Sequence, residues 1–149
     1  MFKKLFNRIK PSLIKDSYFG EMGSTFDKFD DCYYLDKDID LENIHTPVIL
    51  YVQSKNQRSN GRQQEAYESI KENFGVIWKK TIEYLCEKEN VISTDQIRKE
   101  HRLESITLPI EISEDSMDWE MDLLNLKDGF SRIVVEMRKF EPCHWSTEA

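Results

Sequence analysis

The fold is decided by residues 47–87, which read PVILYVQSKNQRSNGRQQEAYESIKENFGVIWKKTIEYLCE. The first seven of these residues are rich in β-branched and aromatic side chains, which is typical of a buried strand. A polar loop over residues 55–61 follows and ends in the turn-forming pair Asn-Gly. Over residues 62–87, apolar side chains recur every three or four positions, and this spacing predicts one long amphipathic helix.

The apolar stripe of this predicted helix runs along its whole length. Its members are Tyr67, Ile70, Phe74, Ile77, Trp78, Thr81, Tyr84 and Leu85. Gly75 interrupts the helix at a cost of about 1 kcal/mol relative to alanine. We therefore expect Gly75 to permit close packing of the helix against a sheet.

Strand patterns lie on both sides of the helix. Residues 18–22 and 32–35 predict two short strands before it, and a capping-box pattern at Ser93 and Gln96 predicts a short helix over residues 95–102. Alternating apolar and polar residues then predict three further strands and a short edge strand at the end of the chain. Six residues are expected in the core: Phe74, Trp78, Ile110, Trp119, Ile133 and Val135.

This order of elements predicts the α+β class. We expect a mainly antiparallel sheet of five to seven strands, with one long helix and one short helix packed on one face. The 149 residues suit a single domain over residues 1–149. Residues 1–10, MFKKLFNRIK, predict a short basic amphipathic helix or arm, which could pack on the domain or lie on a membrane surface.

Composition narrows the class of partner. The net charge is −7, and an acidic chain repels nucleic-acid phosphates, so we expect no nucleic-acid partner. Three cysteines without paired or zinc-type spacing suit a reducing compartment. No apolar run follows the basic start, and no stretch approaches a membrane span, so we expect a cytoplasmic protein without stable membrane anchoring.

Searches for catalytic motifs in the sequence find nothing. The three histidines, His45, His101 and His144, are scattered, and no serine or cysteine lies in a nucleophile-elbow context. The sequence contains neither GxGxxG nor GxxxxGK[ST]. We therefore predict a protein that is not an enzyme, with no catalytic residue, no cofactor and no metal site.

The densest feature is a run of acidic residues between positions 103 and 129. Its members are Glu104, Glu111, Glu114, Asp115, Asp118, Glu120, Asp122 and Asp128, opposed by Lys127 alone. Strand alternation puts Asp118, Glu120 and Asp122 on one face, with about 7 Å between successive members. The run lacks the glycine-centred loop of a calcium site and any partner motif for acid–base catalysis.

Two interpretations of these acids remain open. The first is a solvated sheet face, which needs no partner. The second is an acidic docking face for a basic protein surface, because neighbouring like charges destabilise a sheet unless something outside the fold relieves them. The residues predicted to form this docking face are Glu111, Asp118, Glu120, Asp122, Asp27, Asp30 and Asp31.

The whole-chain plan resembles small bacterial immunity-like proteins of polymorphic-toxin and type VI secretion loci. The residues that carry the resemblance are the basic start MFKKLFNRIK, residues 16–20 (DSYFG), the strand–loop–helix passage over residues 48–78, and the closing strands around Trp119 and Glu120. The first hairpin departs from the pattern, because it lacks a tryptophan and is rich in aspartate.

The resemblance implies a non-enzymatic inhibitor that binds and blocks a cognate toxin effector. An acidic face would suit an effector with a basic active-site surface, such as a nuclease. Two alternatives remain: a small structural or regulatory interaction module, and a hydrolase with an unrecognised site.

Overall fold

The structure is a computed structural model, and it describes residues 12–90 and 93–148. The basic segment over residues 1–10, predicted to be a short helix or arm, lies outside them. Eight strands and three helices are described. In chain order they are β1 (Ser12–Asp16), β2 (Gly20–Asp27), β3 (Cys32–Ile39), β4 (Val48–Ser54), α1 (Gly61–Glu72), α2 (Phe74–Lys88), α3 (Thr94–Glu100), β5 (His101–Leu108), β6 (Asp118–Asn125), β7 (Arg132–Arg138) and β8 (Glu141–Glu148).

All eight strands belong to one sheet, in which spatial order equals chain order. Strands β4 and β5 are parallel, and every other neighbouring pair is antiparallel. The helices form the crossover that a parallel pair requires. The α+β class and the mainly antiparallel sheet are thus confirmed, whereas the predicted five to seven strands are too few.

The predicted long helix is also corrected, because it is two helices separated at Asn73. The Asn73 side chain donates a hydrogen bond to the Ser69 carbonyl at 2.8 Å, and asparagine side chains of this kind compete with helical backbone pairing. A single non-helical residue leaves the apolar stripe aligned across α1 and α2. Of the helices that the structure describes, none is both long enough and apolar enough to cross a membrane.

The start of α1 is tied to the centre of the sheet. Asn60 and Gln63 form a reciprocal capping box, in which each side chain accepts a hydrogen bond from the other residue's amide. The side-chain amide of Gln63 is buried, and its Nε2 atom donates to the Gln53 carbonyl at 2.8 Å and to the Pro109 carbonyl at 2.9 Å. These bonds hold the helix start against the ends of β4 and β5.

The main core lies between the helices and one face of the sheet. Five of the six residues predicted for the core are buried there: Phe74, Trp78, Trp119, Ile133 and Val135. Ile110 is the exception, because it is only half-buried. It packs on a small cluster of Cys32, Tyr34 and Tyr51. Strand alternation assigns Tyr34 and Tyr51 to the opposite face of the sheet, since their neighbours Leu35 and Leu50 face the helices.

The close packing expected at Gly75 exists, but its partner is not the sheet. A Cβ atom at Gly75 would lie 2.7 Å from a carboxylate oxygen of Glu42, which belongs to the loop between β3 and β4. The glycine therefore accommodates a flexible loop side chain.

Candidate functional site: an acidic groove beside a polar cavity

The sheet face opposite the helices, here called the polar face, buries hydrogen-bonding side chains. Its central members are Tyr34, Tyr51, Ser105, Thr107 and Asp122, and each is less than 5% exposed. Burying polar groups costs free energy unless they are hydrogen-bonded. A polar face of this kind is therefore a candidate binding surface.

Asp122 shows how far this face departs from a solvated one. The residue was predicted to project from a solvent-exposed acidic face, but it is 1% exposed, so that prediction is wrong for Asp122. The reason is its place in β6, where it lies between Ser105 of β5 and Val134 of β7. Both of these neighbours are themselves buried.

A cavity of about 340 Å³ opens beside these residues. We call it the polar cavity. The side chains that define its chemistry come from the β2–β3 turn and from strands β3 to β7. They are Asp30, Tyr34, Gln53, Thr107, Glu120 and Glu136.

Tyr34 links two walls of the polar cavity. Its hydroxyl accepts a hydrogen bond from Gln53 Nε2 at 2.7 Å and donates one to the Asp30 carboxylate. Burial, together with the hydrogen bond to Asp30, raises the pKa of the Tyr34 hydroxyl well above its usual value. Tyr34 is therefore a neutral donor at physiological pH, and it holds the Asp30 carboxylate in place.

Strand register places two glutamates side by side at the cavity. Glu120 of β6 lies directly opposite Glu136 of β7 on one side and Thr107 of β5 on the other. Residues directly opposite on antiparallel strands have Cβ atoms about 4.5–5.5 Å apart. Two carboxylates at this spacing create a region of negative potential that favours a cation.

A second, wider depression of about 790 Å³ adjoins the polar cavity, and we call it the acidic groove. The loop between β5 and β6 and the start of α1 line it, with carboxylates from Glu65, Glu111, Glu114 and Asp118. Arg62 pairs with Glu114 at 2.7 Å, and the hydrogen bond from Arg62 lowers the pKa of that carboxyl. Asp118 lines both depressions, so the two adjoin at this residue.

The β2–β3 turn forms the next part of this surface. One carboxylate oxygen of Asp27 accepts hydrogen bonds from the amides of Phe29 at 2.8 Å and Asp30 at 3.3 Å. This arrangement fixes the turn and leaves Phe29 82% exposed beside Asp30. Asp31 follows with a positive φ of 51°, and its carboxylate lies 3.7 Å from the Lys55 ammonium group.

The structure thus brings together most of the acids predicted for docking. Glu111 and Asp118 line the groove, while Asp30, Asp118 and Glu120 line the cavity. Asp31 is exposed on the turn next to Asp30. Two predicted residues lie elsewhere: Asp27 is buried under its turn, and Asp122 is buried within the sheet.

Sequence reasoning missed four residues of the site: Tyr34, Gln53, Thr107 and Glu136. Each occupies a predicted strand, and the alternation of those strands could have assigned them to the non-helical face. Local patterns do not specify which strands are neighbours, so the meeting of these four side chains at one cavity had no signal in the sequence.

The histidines are separate from one another. His101 is buried, with Nδ1 3.0 Å from the Ile97 carbonyl oxygen, and His144 Nε2 lies 3.8 Å from a Glu136 carboxylate oxygen. Within residues 12–90 and 93–148, no group of three or more His, Cys, Asp or Glu side chains is placed to hold a metal ion. Comparisons of the chain with protein-family models, curated proteins and solved structures find no match.

Proposed function

We propose that this protein is a non-enzymatic binding protein whose acidic groove and polar cavity dock onto a basic surface of another protein. The most concrete form of the proposal is an immunity or antitoxin-like inhibitor that blocks a bacterial toxin effector. The observation that carries it is that carboxylates from the β2–β3 turn, the β5–β6 loop and two strands line two depressions that share Asp118.

Charge supports a basic partner. Each depression is lined by four carboxylates and one guanidinium among the described residues, Arg62 in the groove and Arg138 in the cavity. Both guanidinium groups are already engaged, Arg62 with Glu114 and Arg138 with Asp118 at 3.2 Å. Clefts of one sign concentrate oppositely charged partners and speed their association.

Exposed aromatic side chains support a protein as the partner. Phe29 and Phe26 both belong to the β2–β3 hairpin, and Phe26 packs edge-on against Tyr33 with ring centroids 5.2 Å apart. Large aromatic residues commonly anchor protein interfaces, while charged groups around them set orientation and rate. An exposed phenylalanine next to the cavity wall supplies such an anchor.

The test begins with capture of the partner on tagged protein from the source cells, with the product of the adjacent gene as first suspect. The triple variant Glu111→Lys, Glu114→Lys, Asp118→Lys then reverses the groove. We expect its association rate to fall by about tenfold or more at low salt, because steering by charged clefts is worth 10- to 1,000-fold. The salt dependence of association should also flatten.

A matched control reverses three exposed helix acids, Glu72→Lys, Glu83→Lys and Glu87→Lys, and changes net charge by the same amount. This control should retain most of the wild-type association rate. Equal losses in both triple variants would show that only overall charge matters and would refute docking at the groove. Inhibition itself is tested by co-expression, in which the protein should relieve the growth defect caused by the captured partner.

A further inference from the structure

We propose that the polar cavity is a receptor for a single arginine side chain projecting from the basic partner. The inference rests on the proposed function, since it assigns to one part of the docking surface a specific chemical group. It is carried by a built set of hydrogen-bond acceptors that surround one small space.

The acceptors come from separate parts of the sheet. Glu120 and Glu136 supply carboxylates from neighbouring strands, and Asp30 supplies a third from the β2–β3 turn. The positive group among the lining residues, Arg138, is paired with Asp118 at 3.2 Å. Carboxylates therefore outnumber guanidinium groups among the described residues that line the cavity.

Thr107 provides an independent indication that a donor belongs in the cavity. The residue is 4% exposed, and its Oγ1 atom is buried and has no hydrogen-bond partner among residues 12–90 and 93–148. It lines the cavity and lies opposite Glu120 in the register of β5 and β6. A buried hydroxyl in this condition is costly, and a ligand donor beside Glu120 would satisfy it.

The acceptors are also held in advance. Gln53 donates to Tyr34 at 2.7 Å and Tyr34 donates to Asp30, so the turn carboxylate is anchored to strands β3 and β4. Glu120 and Glu136 are placed by strand register. Fixed acceptors reduce the ordering cost of binding and favour a ligand with matching directional donors.

A guanidinium group fits this arrangement better than an ammonium group. It carries five donors in a planar fork, so it can address carboxylates and a hydroxyl on different strands at once, whereas an ammonium is a compact and strongly hydrated point charge. Pro109 also lines the cavity and offers apolar surface to the aliphatic stem of an arginine.

The experiment titrates the full chain with N-acetyl-arginine amide, followed by NMR chemical shifts and isothermal calorimetry. N-acetyl-citrulline amide is the neutral analogue of nearly the same shape, and N-acetyl-lysine amide carries the alternative cation. We expect saturable binding of the arginine compound, at least tenfold weaker binding of the lysine compound, and no saturable binding of the citrulline compound. The shifted resonances should include Thr107 and Gln53.

Three variants locate the binding. Glu120→Gln should lower the affinity for the arginine compound by at least tenfold, and Thr107→Val should lower it by at least threefold. Glu83→Gln, on the exposed face of α2, should leave it unchanged. Thr107→Val preserves side-chain shape and removes a hydroxyl that has no described partner, so it should fold normally, as a cooperative melt would show.

The outcomes separate this inference from the proposed function. Absence of saturable binding, equal binding of the citrulline or lysine compound, or folded Glu120 and Thr107 variants with wild-type affinity would each overturn the arginine receptor. If groove reversal slows association of the partner while these cavity variants leave its dissociation unchanged, docking stands and the receptor fails. If the arginine compound binds the cavity but groove reversal has no effect, the receptor stands and the proposed docking fails.

Discussion

The two faces of the sheet are made from the same strands and differ in what they bury. In β3 and β4, Leu35 and Leu50 enter the core under the helices, whereas their chain neighbours Tyr34 and Tyr51 are equally buried on the polar face. Apolar burial on the first face drives folding at about 25 cal/mol per Å². Burial on the second face brings polar atoms out of water and stabilises less.

The contrast is strongest in β6, where Trp119 and Met121 are core residues and Glu120 between them lines the polar cavity. A sheet could be stabilised on both faces by apolar residues if stability were its only task. Polar side chains in the second set of positions therefore support the proposed docking function, while the first face supplies the stability.

The largest effect should come from the helix-covered face. Phe74→Ala removes a fully buried ring that stacks on Trp78, and large-to-small core changes of this kind cost about 3–5 kcal/mol of unfolding free energy. Val76→Ala, two residues further along α2 and 54% exposed, should change stability by less than about 0.5 kcal/mol. Urea denaturation measures both. Comparable losses in the two variants would contradict the assignment of the core to this face.

A charged residue on the helix-covered side gives a smaller, pH-dependent effect. Asp16 is buried and accepts four hydrogen bonds, from the amides of Tyr18, Phe19 and Ser59 and from the Ser59 hydroxyl, at 2.7–3.0 Å. Burial opposes the charged form, but these bonds together outweigh it and lower the pKa of the carboxyl. Asp16→Asn replaces one carboxylate oxygen with an NH₂ group, which faces hydrogen-bond donors and cannot accept from them. We expect the change to lower the free energy of unfolding by about 2 kcal/mol near neutral pH.

The sign of the pH dependence follows from the lowered pKa. A carboxyl with a lower pKa in the folded state stabilises the fold above its unfolded pKa, about 3.9, and loses that contribution as pH falls through the folded value. The difference in unfolding free energy between wild type and Asp16→Asn should thus be full at pH 7 and shrink below about pH 4. A difference that stays constant from pH 7 to pH 3 would show that the charge of Asp16 has no part in it.

The smallest effect should come from the polar face. Tyr34→Phe keeps the ring buried and removes the hydroxyl that joins Gln53 to Asp30, which should cost about 1 kcal/mol. The same change releases the Asp30 carboxylate from Tyr34. The free energy of binding the arginine compound should therefore change by more than the free energy of unfolding does. Calorimetry of the folded variant checks this, and unchanged affinity would mean that the hydrogen-bond chain does not prepare the cavity.

Local patterns predicted the individual elements well. The strand after Pro47, the apolar stripe from Tyr67 to Leu85 and the alternating strands near the end of the chain all exist, because helix and strand periodicity are properties of neighbouring residues. Errors arose where one side chain or one pairing decided the result. Asn73 divides the long helix by bonding to Ser69, and β1 becomes a strand by pairing with β2.

The sequence by itself determined the class of fold, the burial of Phe74 and Trp119, and the acidic character of the second half of the chain. Only the tertiary structure decided that Asp30 and Glu120, ninety positions apart, line one cavity, and that Asp122 is buried while Asp118 is shared between cavity and groove. The physical reason is that alternation assigns a side chain to a face, whereas its neighbours and its exposure depend on which strands pair and in what register.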